Sequence, residues 1–305
     1  MAWVDTIVGG LVVKESRRDA EKGAYDMRYY QWITWGFGGV IPPLLGPFMM
    51  YQQRKWNIAY CFYVMTGISV MFLIAAPFIP TDANAVDRQK EGHGFKKYVS
   101  LQIQGMKQAL KIKPLSSTLR FYFLVMMTTP SFSIYLHDLY DFTNDWDIGV
   151  SIGCLFSLTI TTICYKMLCE NTSSRNITLG ALCIQLCSYA FSLVVFQLNL
   201  QEWYLGGFLQ STLLDMPWFF LLWLPAYVQV TKMCPSDVES IFNAVIYTMF
   251  YGSFQVVGRI LGLLMTQIFK DIGMRDKANI TLCISIAVGF CLMQMHFRKM
   301  LPTRA

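Results

Sequence analysis

The chain alternates between long apolar runs and short polar joints. Runs fall at about 1–13, 31–53, 57–79, 118–137, 147–168, 177–198, 203–231, 241–269 and 278–297, each closed by charged, Asn or Pro-containing residues. They are apolar all round rather than at every second position. The pattern therefore predicts nine helices, the first short, and not a barrel, whose strands would read as alternating segments of about ten residues. The two longest runs, 203–231 and 241–269, would each measure roughly 43 Å as helices, against a hydrocarbon core of about 30 Å. Both are long enough to cross a bilayer.

One connection is longer than the rest, 80–117. Within it Phe95, Val99, Ile103, Met106, Leu110 and Ile112 recur at near-helical spacing among Lys96, Lys97, Lys107 and Lys111, which predicts an amphipathic helix lying on the inner membrane surface. The connection divides the chain into a partial N-terminal lobe of three segments (1–79), a basic inner loop (80–117) and a six-helix C-terminal lobe (118–305). The expectation is an all-α, multi-pass membrane protein with the layout of a two-lobed secondary transporter. Which membrane, plasma or organellar such as the mitochondrial inner membrane, the sequence leaves open.

Composition sharpens the class. Among 305 residues, 54% are hydrophobic and only 14% charged, too apolar a balance for an ordinary soluble domain. The net charge of +6 does not point to nucleic acid, because the basic residues sit in the joints. With the C-terminal Arg298, Lys299 and Arg304 inside, alternation places nineteen Lys and Arg inside, Arg28 among them, and five outside. Such a bias sets orientation. The acidic stretch Asp138, Asp141, Asp145 and Asp147 then falls outside as a solvated loop. Of three glycosylation sequons only Asn279 falls outside, very close to a span, and no glycan is assigned. The nine cysteines lie mostly in spans without C-x-x-C or zinc spacing and read as apolar filler, with no structural metal or disulfide expected. No hydrolase, metalloprotease or nucleotide-binding motif occurs and the three histidines lie far apart, so neither catalysis nor a cofactor is expected.

Charge inside a span carries the functional signal. Asp215 and Arg259 both fall mid-run, where an ionised side chain costs a few kcal/mol, so each should pair or face an aqueous cavity. An Asp215–Arg259 ion pair serves transport on one reading and helix packing on the other. Pro217 and Pro225 interrupt the same span, either breaking it beside a cavity or kinking it. Trp218, Phe219, Phe220 and Trp223 either stack a flat ring or fill the core.

Three islands then form an ordered series. At Met233–Ser240 the chain reads Met-Cys-Pro-Ser-Asp-Val-Glu-Ser, followed by Phe242, Asn243, Ala244, Tyr251, Gly252, Gly258 and Gly262. At the start stand Val4, Asp5, Gly9–Val13, Glu15, Ser16, Arg17, Glu21, Gly23, Asp26, Met27, Trp32, Gly38 and Gly39; between them lie Pro130 and the stretch 135–149. Together these resemble the folate–biopterin transporter family of the major facilitator superfamily. The family-motif positions are Arg17, Gly23, Trp32, Cys234, Pro235 and Glu239. The resemblance implies that the nine segments match helices four to twelve of a twelve-helix fold, with the first three absent. It implies a pteridine- or folate-like substrate and makes Asp5 a substrate or coupling carboxylate beside Asp215 and Arg259.

Two departures stand out. The family carries an Arg where this chain has Trp35, and small Gly-rich packing where it has Pro42 and Pro43. Loss of that cation would remove a charge-assisted contact of about 1.5–3 kcal/mol to an anionic substrate. Two readings follow: a secondary transporter working by alternating access around buried charges, or a transporter-derived subunit of a larger membrane assembly whose other subunits cover the incomplete lobe.

Overall fold

The computed structural model describes residues 2–19, 22–50, 95–129, 144–169, 172–198, 204–234, 239–271 and 276–301, with six further positions between 63 and 74. Among them every element is a helix and no strand occurs. In chain order they are α1 (Ala2–Ser16), α2 (Gly23–Met50), α3 (Phe95–Lys111), α4 (Lys113–Thr128), α5 (Asn144–Cys164), α6 (Ser174–Gln197), α7 (Tyr204–Gln210), α8 (Met216–Met233), α9 (Glu239–Tyr247), α10 (Arg259–Asp271) and α11 (Asp276–Phe297). Four continuous stretches are long and apolar enough to span a membrane: 148–168, 174–197, 204–233 and 280–300. The chain is an integral, multi-pass membrane protein.

Three wide π-helical turns interrupt these rods, and one has a plain cause. At Ser211–Asp215 the Met216 N–H reaches back five residues to Ser211 O. Pro217 follows at once, lacks an N–H, and would press its ring on the carbonyl four residues earlier; widening the turn relieves that contact. The second, Tyr165–Cys169, ends α5, and the third, Thr248–Gly258, joins α9 to α10. In the third, Thr248 Oγ1 donates to Ala244 O at 2.8 Å and Ser253 donates to Met249 O, so side chains bond carbonyls of the widened ladder.

The stretch formed by α7, its π turn and α8 is the most buried of the four spans. From Leu222 to Thr231 every residue of α8 is buried. Helices α2, α4, α5 and α6 pack around it, and Trp223, Tyr227, Phe250 and Tyr122 stack through ring contacts of 5.6–6.2 Å. Around this core, Ile160, Leu213, Leu263, Leu264 and Leu292 are exposed, as an apolar outer face against lipid requires.

The amphipathic helix forms at α3, and Pro114 in the first turn of α4 accounts for the break after it, with Ile112 extended. Its apolar stripe divides. Ala109 and Met106 pack into the core, whereas Ile103 and Leu110 stay exposed beside Lys107 and Lys111. The loop positions 138–143, Pro130, Pro235 and most of 51–94 lie outside the described residues.

Candidate functional site

The polar chemistry concentrates where α1 turns into α2. This end meets the C-terminal end of α8, the start of α9 and the end of α5. Three cations cross from one set of helices to the other. Arg17, just past α1, forms an ion pair from Nη1 to Glu239 Oε1 at the first residue of α9, and its Nη2 donates to Cys234 O at 3.1 Å. Lys166 Nζ lies 2.8 Å from Asp26 Oδ1 and 4.3 Å from the centre of the Tyr29 ring. Lys232 Nζ sits 4.6 Å from the centre of Tyr25.

Arg28 is the fourth, and it is deeper. Only 2% of it is exposed. Nε donates to Thr231 Oγ1 at 2.9 Å, Nη2 to Asn243 Oδ1 at 3.0 Å and Nη1 to Gln31 Oε1 at 2.7 Å, and the guanidinium carbon is 5.1 Å from the centre of Tyr227. One side chain on α2 thereby ties α8 to α9. Among the described residues none of its hydrogen-bond partners is a carboxylate. The apolar run that starts at 31 places Arg28 in an inner loop; α2 begins at Gly23, so Arg28 is helical, in the second turn of α2. The polarity of Asp26, Arg28 and Gln31 hid the first turns of the helix.

Two glycines set how closely this junction closes. A Cβ on Gly23 would lie 2.1 Å from Ser16 O, and one on Gly9 would lie 2.0 Å from Asn243 Nδ2. Both are closer than any side chain tolerates without movement. Gly23 fixes the tight return from α1 to α2, and Gly9 seats α1 on the residue that accepts from Arg28. At Cys234, burial together with the Glu239 carboxylate pushes the thiol up to about 12, so it stays protonated and unreactive at neutral pH.

The family-motif positions therefore converge. Arg17, Gly23, Cys234 and Glu239, separated by up to 222 positions, meet at one end of the bundle. Trp32 lies one turn beyond Arg28, its ring 5.2 Å from Phe220 and 5.9 Å from Tyr227, and its Nε1 is buried without a hydrogen-bond partner among the described residues. Trp35 is 54% exposed. Seven residues apart, Arg28 and Trp35 share a face of α2. The aromatics Trp218, Phe219, Phe220 and Trp223 contact one another at 4.9–5.8 Å.

The two mid-span charges do not come together. Asp215 closes the π turn facing α6, where Ser188 donates to its Oδ1; Gln210 Nε2 donates to Ser188 Oγ at 3.2 Å and to Ser192 Oγ at 2.5 Å. Oδ2 is buried without a hydrogen-bond partner among the described residues. Arg259 is exposed, and no ion pair joins it to Asp215 among those residues. Mid-span position fixes depth but not the face of a helix, so the pairing expected from depth alone is not formed. A double-mutant cycle on Asp215→Asn and Arg259→Gln is expected to give a coupling energy below about 0.5 kcal/mol by thermal unfolding; coupling above about 1 kcal/mol would restore the pair. Asp5 lies in α1, and its side chain is outside the described residues.

The described helices thus form a membrane bundle in which motif residues distant in sequence meet at one end. The chain belongs to the BT1 family, the folate–biopterin transporters, whose model matches residues 1–305. Members of this family are transporters rather than enzymes, and membership implies a bilayer and a small-molecule substrate. Nothing among curated proteins or solved structures matches the chain significantly.

Proposed function

We propose that the chain carries pteridine- or folate-like solutes by alternating access, with α1 and α2 in one moving unit and α4–α11 in the other. One observation supports this above the rest: at the end where α1 turns into α2, exchangeable polar contacts close the joint between those units. Arg17–Glu239, Lys166–Asp26 and Arg28 with Thr231 and Asn243 all cross it. Further along the joint α2 packs closely on α5, with Gly36 and Gly39 against Leu155, Leu158 and Thr159. Half-exposed ion pairs contribute little to stability, about 0–1 kcal/mol each, and so can be broken and remade in a cycle. By the Lys and Arg count this end is the inner one, which makes the arrangement closed toward the inside.

Asp215 is the coupling candidate on this reading. It is a buried carboxylate that accepts from Ser188, whereas Arg259 is exposed. Counterflow of labelled folate and of biopterin into vesicles reconstituted with the full chain tests the proposal. Accumulation above protein-free vesicles is the expected result. None above that background sinks it, and fixed-stoichiometry co-purification with other membrane proteins would then favour a transporter-derived subunit.

A further inference from the structure

We infer that Arg28 is the specificity-determining cation of this carrier, the group that takes the carboxylate of an anionic solute; the inference rests on the transport reading above. The guanidinium is buried and its hydrogen-bond partners among the described residues are neutral oxygens: Thr231 Oγ1, Asn243 Oδ1 and Gln31 Oε1. At the same junction Arg17 and Lys166 each meet a carboxylate. Removing a guanidinium from water is costly, and neutral acceptors compensate it less than an anion does. Among the described residues, the closed arrangement thus gives this cation no carboxylate partner.

Which helix supplies each contact matters. Gln31 lies on α2 with Arg28 and travels with it, whereas Thr231 and Asn243 belong to α8 and α9. Separation of α1 and α2 from those helices strips two of the three acceptors and leaves Nε and Nη2 free together. Two adjacent N–H donors in one plane match a carboxylate in bidentate geometry. Solute carboxylate and the Thr231–Asn243 pair then compete for the same donors, so anion release and closure of the junction become one event. The same face of α2 carries Trp35, two helical turns from Arg28.

Folate and biopterin separate this assignment from a packing role, because they share a pteridine ring and only folate carries carboxylates. Equilibrium binding of each, radiolabelled, to the detergent-purified full chain is the measurement. Arg28→Gln is expected to weaken folate about tenfold or more and leave biopterin within about twofold, the loss of one charge-assisted contact. Arg28→Lys should fall between. Thr231→Val removes a closed-state competitor without touching the cation, and should tighten folate about threefold. Equal weakening of both ligands by Arg28→Gln, or folate unchanged, overturns the assignment. If that variant does not fold, Thr231→Val decides, and unaltered folate affinity there overturns it as well. A wild type that binds biopterin but not folate removes the Arg28 assignment and leaves the carrier reading standing; one that binds neither removes both.

Discussion

Charge reversal at either end of the Arg17–Glu239 pair is expected to lower folate or biopterin counterflow about tenfold or more, and the double reversal is expected to recover most of it. Arg17→Glu sets two carboxylates against each other and turns a third acceptor, Cys234 O, toward them, since Arg17 Nη2 now donates to that carbonyl at 3.1 Å. Glu239→Arg sets two guanidinium groups side by side. Like charges in such proximity cost several kcal/mol where solvent is partly excluded, and here the two side chains are 36% and 18% exposed. Simple neutralisation is milder. Glu239→Gln removes an attraction of about 1 kcal/mol and leaves Arg17 its carbonyl contact, so counterflow should fall only severalfold.

The double reversal restores opposite charges but not the second contact, because a glutamate at 17 cannot donate to Cys234 O. Recovery should therefore be incomplete, and that shortfall measures the carbonyl hydrogen bond. Thermal unfolding in detergent separates the two roles open to the pair. For a gate, counterflow changes more than the melting temperature; for a mere staple, the two fall together. Single reversals that leave both unchanged would show that the contact is incidental, and a double reversal worse than both singles would show that the surroundings, not the pairing, set the charge preference.

The helices were legible because lipid forces them. A run apolar on all sides must satisfy its own backbone, and the described parts of the nine segments are helical, with the run at 57–79 described only at scattered positions. What was not legible is which faces meet. The contacts of Arg17 with Glu239 and of Arg28 with Thr231 and Asn243 join residues 203–222 positions apart, and no local periodicity encodes them. The motifs marked the family without revealing that they touch. Arg28 was hidden for a further reason: a buried cation bonded to hydroxyl and amide oxygens has the same one-dimensional appearance as a loop arginine. Pro217 did announce a disturbed helix, but not that the ladder would widen and turn Asp215 toward Ser188 and away from Arg259.

Gly23→Ala is expected to destabilise the bundle by about 1–3 kcal/mol, as overpacking does, and to lower the melting temperature by several degrees. The cause is the added Cβ, which would meet Ser16 O at 2.1 Å, Ser16 C at 2.9 Å and Ser16 Cα at 3.1 Å. All three atoms are backbone at the end of α1, so no rotamer change relieves the contact and the α1–α2 return must open. Gly180→Ala is the matched control. Gly180 lies inside α6, exposed, and a Cβ there meets nothing within 4 Å; replacing an interior helical glycine should stabilise by about 0.5–1 kcal/mol. The same chemical change thus carries opposite signs at two positions. Because opening the return also moves Arg17 and Arg28 relative to α8 and α9, Gly23→Ala should depress counterflow even below its melting temperature, while Gly180→Ala should leave it unaltered. Equal melting temperatures for the two variants would mean that α1 and α2 approach less closely than a 2.1 Å Cβ contact demands.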